Sequence, residues 1–281
     1  MKALATSSIK VLIKGGGDLA SGVAWRLHRC GFKVYLTELD QPMAVRRKVS
    51  FCEAVYDGEI VVEGVKARLI RDPKEVTRTW EEGQIPVLID PRGESKSITR
   101  PEVIVDAILA KKNLGTSIRD AHLVIALGPG FEAGRDAHYV VETNRGHNLG
   151  RLLSSGSAEP NTGVPGSVKG ITADRILRSS SEGLWESALD IGDPVKQGET
   201  VGTVAGIPVT AKTDGILRGL IRPGIHVSED LKIGDIDPRG VKASCFTISD
   251  KALAIAGGVL EGILSIYARG SSVWPRSAFI S

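Results

Sequence analysis

Cysteine is sparse in this chain. Cys30, Cys52 and Cys245 are the three among 281 residues, too few and too widely spaced for a disulfide framework or a zinc knuckle. Charge of one sign is lacking too: 36 basic against 33 acidic residues leave a formal +3. With no run of like charges beside it, so mild a balance argues against nucleic acid or a membrane surface as partner. No long apolar run is present. Ala252 to Ala268 is apolar but short, glycine-broken and interrupted by Glu261, so it reads as a buried amphipathic helix rather than a membrane span. The first eight residues lack the apolar core of a signal peptide, and a cytoplasmic protein is the expectation. What remains is ordinary: 42% hydrophobic residues and length enough for two domains.

Against that background one stretch stands out, Lys10-Val-Leu-Ile-Lys-Gly-Gly-Gly-Asp-Leu-Ala-Ser-Gly22. It reads as a short strand (Val11 to Ile13), a glycine turn and a helix running through Trp25, Leu27 and Cys30. Gly31 stops the helix, and Phe32 to Thr37 reads as a second strand ending in Glu38. This is the βαβ pattern in which a helix N-terminus faces a phosphate. Gly15, Gly17 and Ala20 fit the G-x-G-x-x-G/A fingerprint, with Gly16 between them and Asp18 and Ser21 on the first turn of the helix. Glu38 falls about 20 residues on, where an acid can hold a ribose hydroxyl. A tight β–α turn that binds nothing is the alternative.

Further along, Arg46 and Arg47 lie beside the expected nucleotide site, either as contacts for a 2′-phosphate, pyrophosphate or anionic partner or as solvated charges. Glu38 argues against the 2′-phosphate, since two anions would repel. Alternation suggests strands over Val49 to Tyr56 and Glu59 to Ile70, the latter a hairpin turning at Glu63-Gly64. Asp72-Pro73 opens a helix to about Glu82. Ile85 to Ile89 and His122 to Leu127 are buried strands, and Pro101 to Lys111 reads as a helix with a Val103/Ile104/Ala107/Ile108 stripe. Strands alternating with helices argue for a doubly wound α/β sheet. A second glycine-rich loop, Gly128 to Arg135, follows the 122–127 strand and belongs on the same edge, with Gly128, Gly130 and Arg135 as its binding candidates. Arg135, Asn144, Arg145 and His147 form either an anion clamp or plain surface hydrogen bonding. His138, Glu142 and His147 match no standard metal set, so no metal site is expected.

The turn-rich stretch from Ser154 to Gly166 is the expected linker. It divides a 1–156 nucleotide-binding domain from a 157–281 domain that ends in a helix with a Leu253/Ala256/Leu260/Ile263/Leu264 stripe. Cys245, just before that helix, reads as a small buried residue, or else a reactive sulfur if its pKa were lowered. Between linker and helix, short strands joined by Gly/Asp turns argue for a small sandwich or barrel. Gly192-Asp-Pro-Val-x-x-Gly198 and Pro223-Gly-Ile-x-Val-x-x-x-Leu-x-x-Gly234 echo each other. This half resembles the biotinyl/lipoyl (barrel-sandwich hybrid) family, whose carrier members place an acceptor lysine in the hairpin between the halves. The corresponding hairpin, Val204-Ala-Gly-Ile-Pro-Val209, has none. Lys212 lies beyond it. The resemblance therefore implies the scaffold without covalent biotin or lipoate.

Three stretches together are similar to one family. They are Lys14-Gly-Gly-Gly-Asp-Leu-Ala-Ser-Gly22, Ala126 to Asp136 with Glu142-Thr-Asn-Arg-Gly-His147, and Lys232-Ile-Gly-Asp-Ile-Asp-Pro-Arg239. From about Val11 to Tyr267 the chain resembles YqeB-type accessory proteins of selenium-dependent molybdenum hydroxylases, and its first half the Rossmann domain of xanthine dehydrogenase accessory factors. The N-terminal cysteine motif often found in those factors is absent. The resemblance implies a cytoplasmic maturation factor whose partner is a molybdenum hydroxylase or its maturation machinery, with homo-oligomerisation possible. An adenine (di)nucleotide such as NAD(P) is the expected ligand at Gly15, Gly16, Gly17, Asp18, Ser21 and Glu38, and the molybdenum cofactor a possible one. Two other readings stand beside it. One is a dinucleotide-dependent oxidoreductase with His138, His147 or Glu142 as proton relay. The other is a nucleotide-sensing regulatory scaffold.

Overall fold

The apolar run before the glycines forms β1 (Lys10–Lys14), with Val11, Leu12 and Ile13 all buried, as a central parallel strand covered on both faces requires. This computed structural model describes residues 5–163 and 166–267. Residues 1–4, Val164 and Pro165 of the expected linker, and Ala268 of the expected helix lie outside the described residues. After β1 come α1 (Asp18–Arg29) and β2 (Lys33–Glu38), as the βαβ reading expects. Next are α2 (Ala54–Asp57), the hairpin β3 (Glu59–Val62) and β4 (Val65–Ile70), α3 (Val76–Glu81), β5 (Ile85–Ile89) and α4 (Lys96–Thr99). Four more strands complete one sheet: β6 (Val103–Asp106), β7 (Leu123–Leu127), β8 (Tyr139–Val141) and β9 (Leu152–Leu153). Its order is β3-β4-β5-β2-β1-β6-β7-β8-β9. Every pair from β4 to β8 is parallel, and the outermost pair at each end is antiparallel.

Two expectations fail here. Val103 to Asp106 is a strand, although the stripe from Val103 to Ile108 suits a helix. The four residues are all buried and rich in β-branched side chains, so they fit the middle of a sheet, and a short apolar run does not distinguish the two periods. Conversely, Val49 to Tyr56 alternates but forms short helical turns, Arg47–Val49 and Phe51–Glu53, leading into α2. The backbone N–H groups of Phe51 and Cys52 bond to Ser21 Oγ and Gly16 O instead of a strand ladder.

The chain divides into two units, but not at residue 156. Unit one comprises Met1–Pro42, Phe51–Asn161 and Ile248–Ser281; unit two comprises Met43–Ser50 and Thr162–Thr247. The expected C-terminal helix, α5 (Asp250–Tyr267), thus belongs with the first unit and packs chiefly on α1. Its buried face is Ala252, Ile255, Ala256, Val259 and Ile263, with Gly258 and Gly262. The leucines of the expected stripe, Leu253, Leu260 and Leu264, are only half-buried. Small residues take the inner face because the backbones come close: a Cβ on Gly22 would lie 2.7 Å from Ala252 Cβ. On the opposite face of the sheet Leu12, Tyr35, Leu88, Ile104, Val124 and Val140 form a separate core with Val76 and Phe131.

Unit two contains two antiparallel sheets. One has the order β10-β17-β15-β12 and is built from β10 (Ile176–Arg178), β12 (Pro194–Val195), β15 (Gly215–Leu220) and β17 (Lys232–Asp237). The other, β14-β13-β11-β16, contains β11 (Gly183–Glu186), β13 (Thr200–Val204), β14 (Ile207–Thr210) and β16 (His226–Val227). Trp185 is fully buried, and Gly202 makes room for it, since a Cβ there would lie 2.5 Å from the indole ring. The lysine-free β13–β14 turn is made by Ala205 and Gly206, both with positive φ. Met43–Ser50 is stitched in by Val45 O, which accepts from Leu220 N at 2.7 Å, and by Arg46, which donates to the carbonyls of Ser244 and Thr247. Arg47 donates to Leu220 O and pairs with Asp190, as does Lys48.

Gly22→Leu is expected to lower stability by about 1–3 kcal/mol, the usual penalty for overpacking. Gly257→Ala should be neutral or stabilising by roughly 0.5–1 kcal/mol, because only an arginine end lies within reach, 3.8 Å away. Urea unfolding of both variants checks the pair.

Candidate functional site

The next strand in sequence after β1 pairs on one of its sides, and β6 pairs on the other. The order therefore reverses at β1, and the crevice at the carboxyl ends of β1 and β6 is the place where open α/β sheets bind ligands. The glycine loop sits at that end. Gly15 has φ +92°, which only glycine adopts without strain, and a Cβ there would meet Ala107 O at 3.0 Å. Gly16 is covered: its Cβ would lie 3.0 Å from Cys52. Gly17 is different. It caps α1 without any side-chain hydrogen bond, and nothing lies within 4 Å of the position its Cβ would take. Of the three glycines, Gly17 alone has open space where a side chain would go.

Its neighbours brace the loop more than they face outward. Ser21 is wholly buried; its hydroxyl donates to Gly16 O at 3.0 Å and accepts from Phe51 N at 2.7 Å, so it is a support and not a ligand contact. Asp18 opens α1, where its charge complements the helix dipole. Glu38 reaches the loop from the end of β2. Its Oε2 accepts from Gly16 N at 2.7 Å and its Oε1 from Leu39 N at 2.8 Å. Burial pushes the Glu38 carboxyl above its ordinary range, and those two amide hydrogen bonds only partly oppose it. Each carboxylate oxygen keeps a second lone pair for a hydroxyl.

The second glycine loop does converge on this edge, through packing. A Cβ on Gly130 would lie 2.6 Å from Lys112 Cα, and one on Gly128 would lie 2.6 Å from Thr143 Oγ1 and 3.5 Å from Leu109. These glycines let the loops after β6 and β7 touch; Gly128 is buried and Gly130 exposed. Nor is there a clamp. Arg135, exposed, pairs with Glu132 and Asp136 of its own turn, and the hydrogen bond and charge of Asp136, then the charge of Glu132, raise its pKa. Arg145 forms a bidentate pair with Asp250, both contacts at 2.9 Å, and Asn144 donates to Glu159 at 2.6 Å. His147 is exposed. His138 Nδ1 accepts from Val124 N, and Glu142, buried, accepts from the amides of Asn144 and Glu159. Of the proposed relay residues, His138 and Glu142 thus brace their loops. Arg46 and Arg47 belong to the second unit and bond there. Among the described residues no group of three or more His, Cys, Asp or Glu is arranged to hold a metal ion.

Sequence reasoning missed two features. Cys52 sits beneath Gly16, where burial raises its thiol pKa well above the ordinary value and the charges of Glu38, Glu53 and Asp18 add to that. It is therefore a packing residue and no nucleophile. Cys245 is likewise buried and its pKa raised by desolvation. The second feature is polar: Lys14 and Asp106, register partners at the ends of β1 and β6, lie 3.5 Å apart with Thr116 between them. A charged residue closing each of two apolar runs was the available signal, hidden because residues 103–106 suit a helix.

Glu38→Gln tests the electrostatics. A carboxyl whose pKa is raised on folding holds its proton longer in the folded state than in the unfolded chain. It contributes stability below the unfolded pKa and loses it as pH rises through the folded one. The stability of wild type relative to Glu38→Gln should therefore decline as pH rises through and above the ordinary carboxylate range. Urea titrations across that range check it; a relative stability that climbs with pH would contradict the assignment.

No protein-family model matches the chain. Among solved structures it overlaps the tRNA N6-threonylcarbamoyladenosine dehydratase TcdA of E. coli in complex with ATP, at 10% identity and a TM-score of 0.32 over 94% of this chain and 90% of that one. It also overlaps a succinylglutamate desuccinylase/aspartoacylase from Rhodobacter sphaeroides, at 25% identity and a TM-score of 0.22 over 23% of this chain and 22% of that one. Overlaps this loose carry no argument. The sequence likeness is much closer: the chain is 47% identical over 260 residues to the uncharacterized protein YqeB of Escherichia coli (strain K12). That match takes in 92% of this chain and 48% of YqeB, so the chain spans about half the length of its curated relative. Over nearly all of its own length, the chain is similar to about half of YqeB.

Proposed function

We propose that this protein is a nucleotide-binding accessory factor that acts on or delivers the cofactor of a selenium-dependent molybdenum hydroxylase. The observation that carries the nucleotide part is Gly17, an open, uncapped glycine at the N-terminus of a twelve-residue helix, placed where the strand order reverses. Amides in a first helical turn lack intrahelical acceptors, and the helix dipole favours an anion there. The open space at Gly17 supports a phosphate-bearing ligand there; Gly16 and Ser21 hold the loop from behind. Glu38 is the hydroxyl acceptor beside it and disfavours a 2′-phosphate. Exposed Leu39 and Ile89, just past β2 and at the end of β5, offer apolar surface to a base.

In this reading the first unit is a Rossmann-like domain whose ligand is an adenine (di)nucleotide, NAD(P) in form, or the molybdenum cofactor with its phosphate. The second unit is a barrel-sandwich scaffold that contacts the hydroxylase or its maturation machinery. The hydroxylase link rests on the resemblance of the three sequence stretches, and the cytoplasm is the compartment that resemblance implies.

Gly17→Val should reduce affinity for adenine nucleotides at least tenfold by calorimetry while the fold persists, since the added side chain enters open space. Unchanged affinity would make the turn purely structural. Mass spectrometry of purified protein should detect a retained nucleotide or molybdopterin. After co-expression with biotin and lipoate ligases the intact mass should equal that of the unmodified chain; an adduct on Lys212 would refute the scaffold role.

A further inference from the structure

Lys14 ends β1 and Asp106 ends β6, and both project on the face that carries Leu12 and Ile104. Three other residues of each strand are apolar and buried. A buried lysine–carboxylate pair in such a place rarely adds net stability over an apolar pair, because desolvating both charges costs about what their attraction returns. Its presence at the reversal point calls for another reason.

The arrangement is built outward from Asp106. Asp106 Oδ1 accepts from Ile108 N at 3.2 Å, and Oδ2 accepts from the Thr116 hydroxyl at 2.5 Å. Thr116 Oγ1 in turn accepts from Lys14 Nζ at 2.5 Å. The loop carrying Thr116 is shaped by Asn113, whose Oδ1 accepts from the amides of Gly115 and Thr116 and whose Nδ2 donates to Thr116 O. The side chains of Asp106 and Lys14 are 2% and 13% exposed, so the lysine is the more exposed member of the pair. An ammonium has three donors. Thr116 takes one and Asp106 faces a second; among the described residues the third has no protein acceptor.

We propose that Lys14 is an anion-binding residue on the β6 side of the glycine loop, recognising a phosphate or pyrophosphate group, with Asp106 and Thr116 as the pair that positions it. The carboxylate lies 3.5 Å from the ammonium, and the threonine, bonded to both, fixes its direction. Glu38 ends β2 and Lys14 ends β1, both at the carboxyl edge, one suited to a hydroxyl and the other to an oxyanion. This rests on the reading of the carboxyl edge as a ligand site, but not on the ligand being a nucleotide.

The test uses the full chain and calorimetric titration with inorganic pyrophosphate and, separately, with ADP. Lys14→Met/Asp106→Asn removes both charges, so no buried carboxylate is stranded, and should weaken pyrophosphate binding at least tenfold and flatten its salt dependence. Thr116→Val should weaken it several-fold and Thr116→Ser restore it, a rescue that a purely structural threonine would not give to affinity. Pyrophosphate affinity unchanged in the double variant overturns the assignment, even if ADP binds, in which case the nucleotide reading survives alone. Lys14-dependent pyrophosphate binding without ADP binding sustains the assignment and overturns the nucleotide reading. A wild-type protein that binds neither overturns both.

Discussion

The carboxyl edge of the sheet depends on how the backbone of Gly16 is held. Its N–H is taken by Glu38 from the end of β2, and its C=O accepts both the Ser21 hydroxyl and the Cys52 amide. One residue thereby ties the second strand, the first helix and the 51–53 turn together. No side chain could take part, because Cys52 fills the space where one would go. Buried backbone groups must be paired, and here the pairing is also what fixes the direction of α1. Gly17 stays open because Gly16 is so thoroughly engaged.

The early βαβ unit was legible in the sequence because several local rules agree there: an apolar run, a glycine requirement, a helix period and a terminal acid. The hairpin at Glu63-Gly64 and the strands at 85–89 and 123–127 were legible for similar reasons. Residues 103–106 were not, since three apolar residues in a row satisfy either period and only burial in the sheet decides between them. Residues 49–56 alternate, yet the amides of Phe51 and Cys52 are claimed by Ser21 and Gly16, partners some thirty residues away that no local pattern records.

The candidate site was half legible. Glycine types and the Glu38 spacing marked the place, but not which groups would be turned inward. Ser21, Arg135, Arg145 and Glu142 are each satisfied by a partner chosen in three dimensions: a carbonyl, a neighbouring carboxylate, the first residue of α5, two loop amides. Proximity in sequence suggested a cluster; hydrogen-bonding demand dispersed it. The Lys14–Asp106 contact is the converse case, two residues 92 positions apart joined only by the parallel register of β1 and β6.

The first unit is assembled from three separated stretches of chain, and its last helix follows the whole of the second unit in sequence. A chain made from its N-terminus has the large sheet available by Leu153, but the partner for the inner face of α1 arrives only with α5. During synthesis of the intervening residues, Gly22 and the apolar surface around it face water. Order of manufacture thus runs against order of architecture, and the first unit is the last to close.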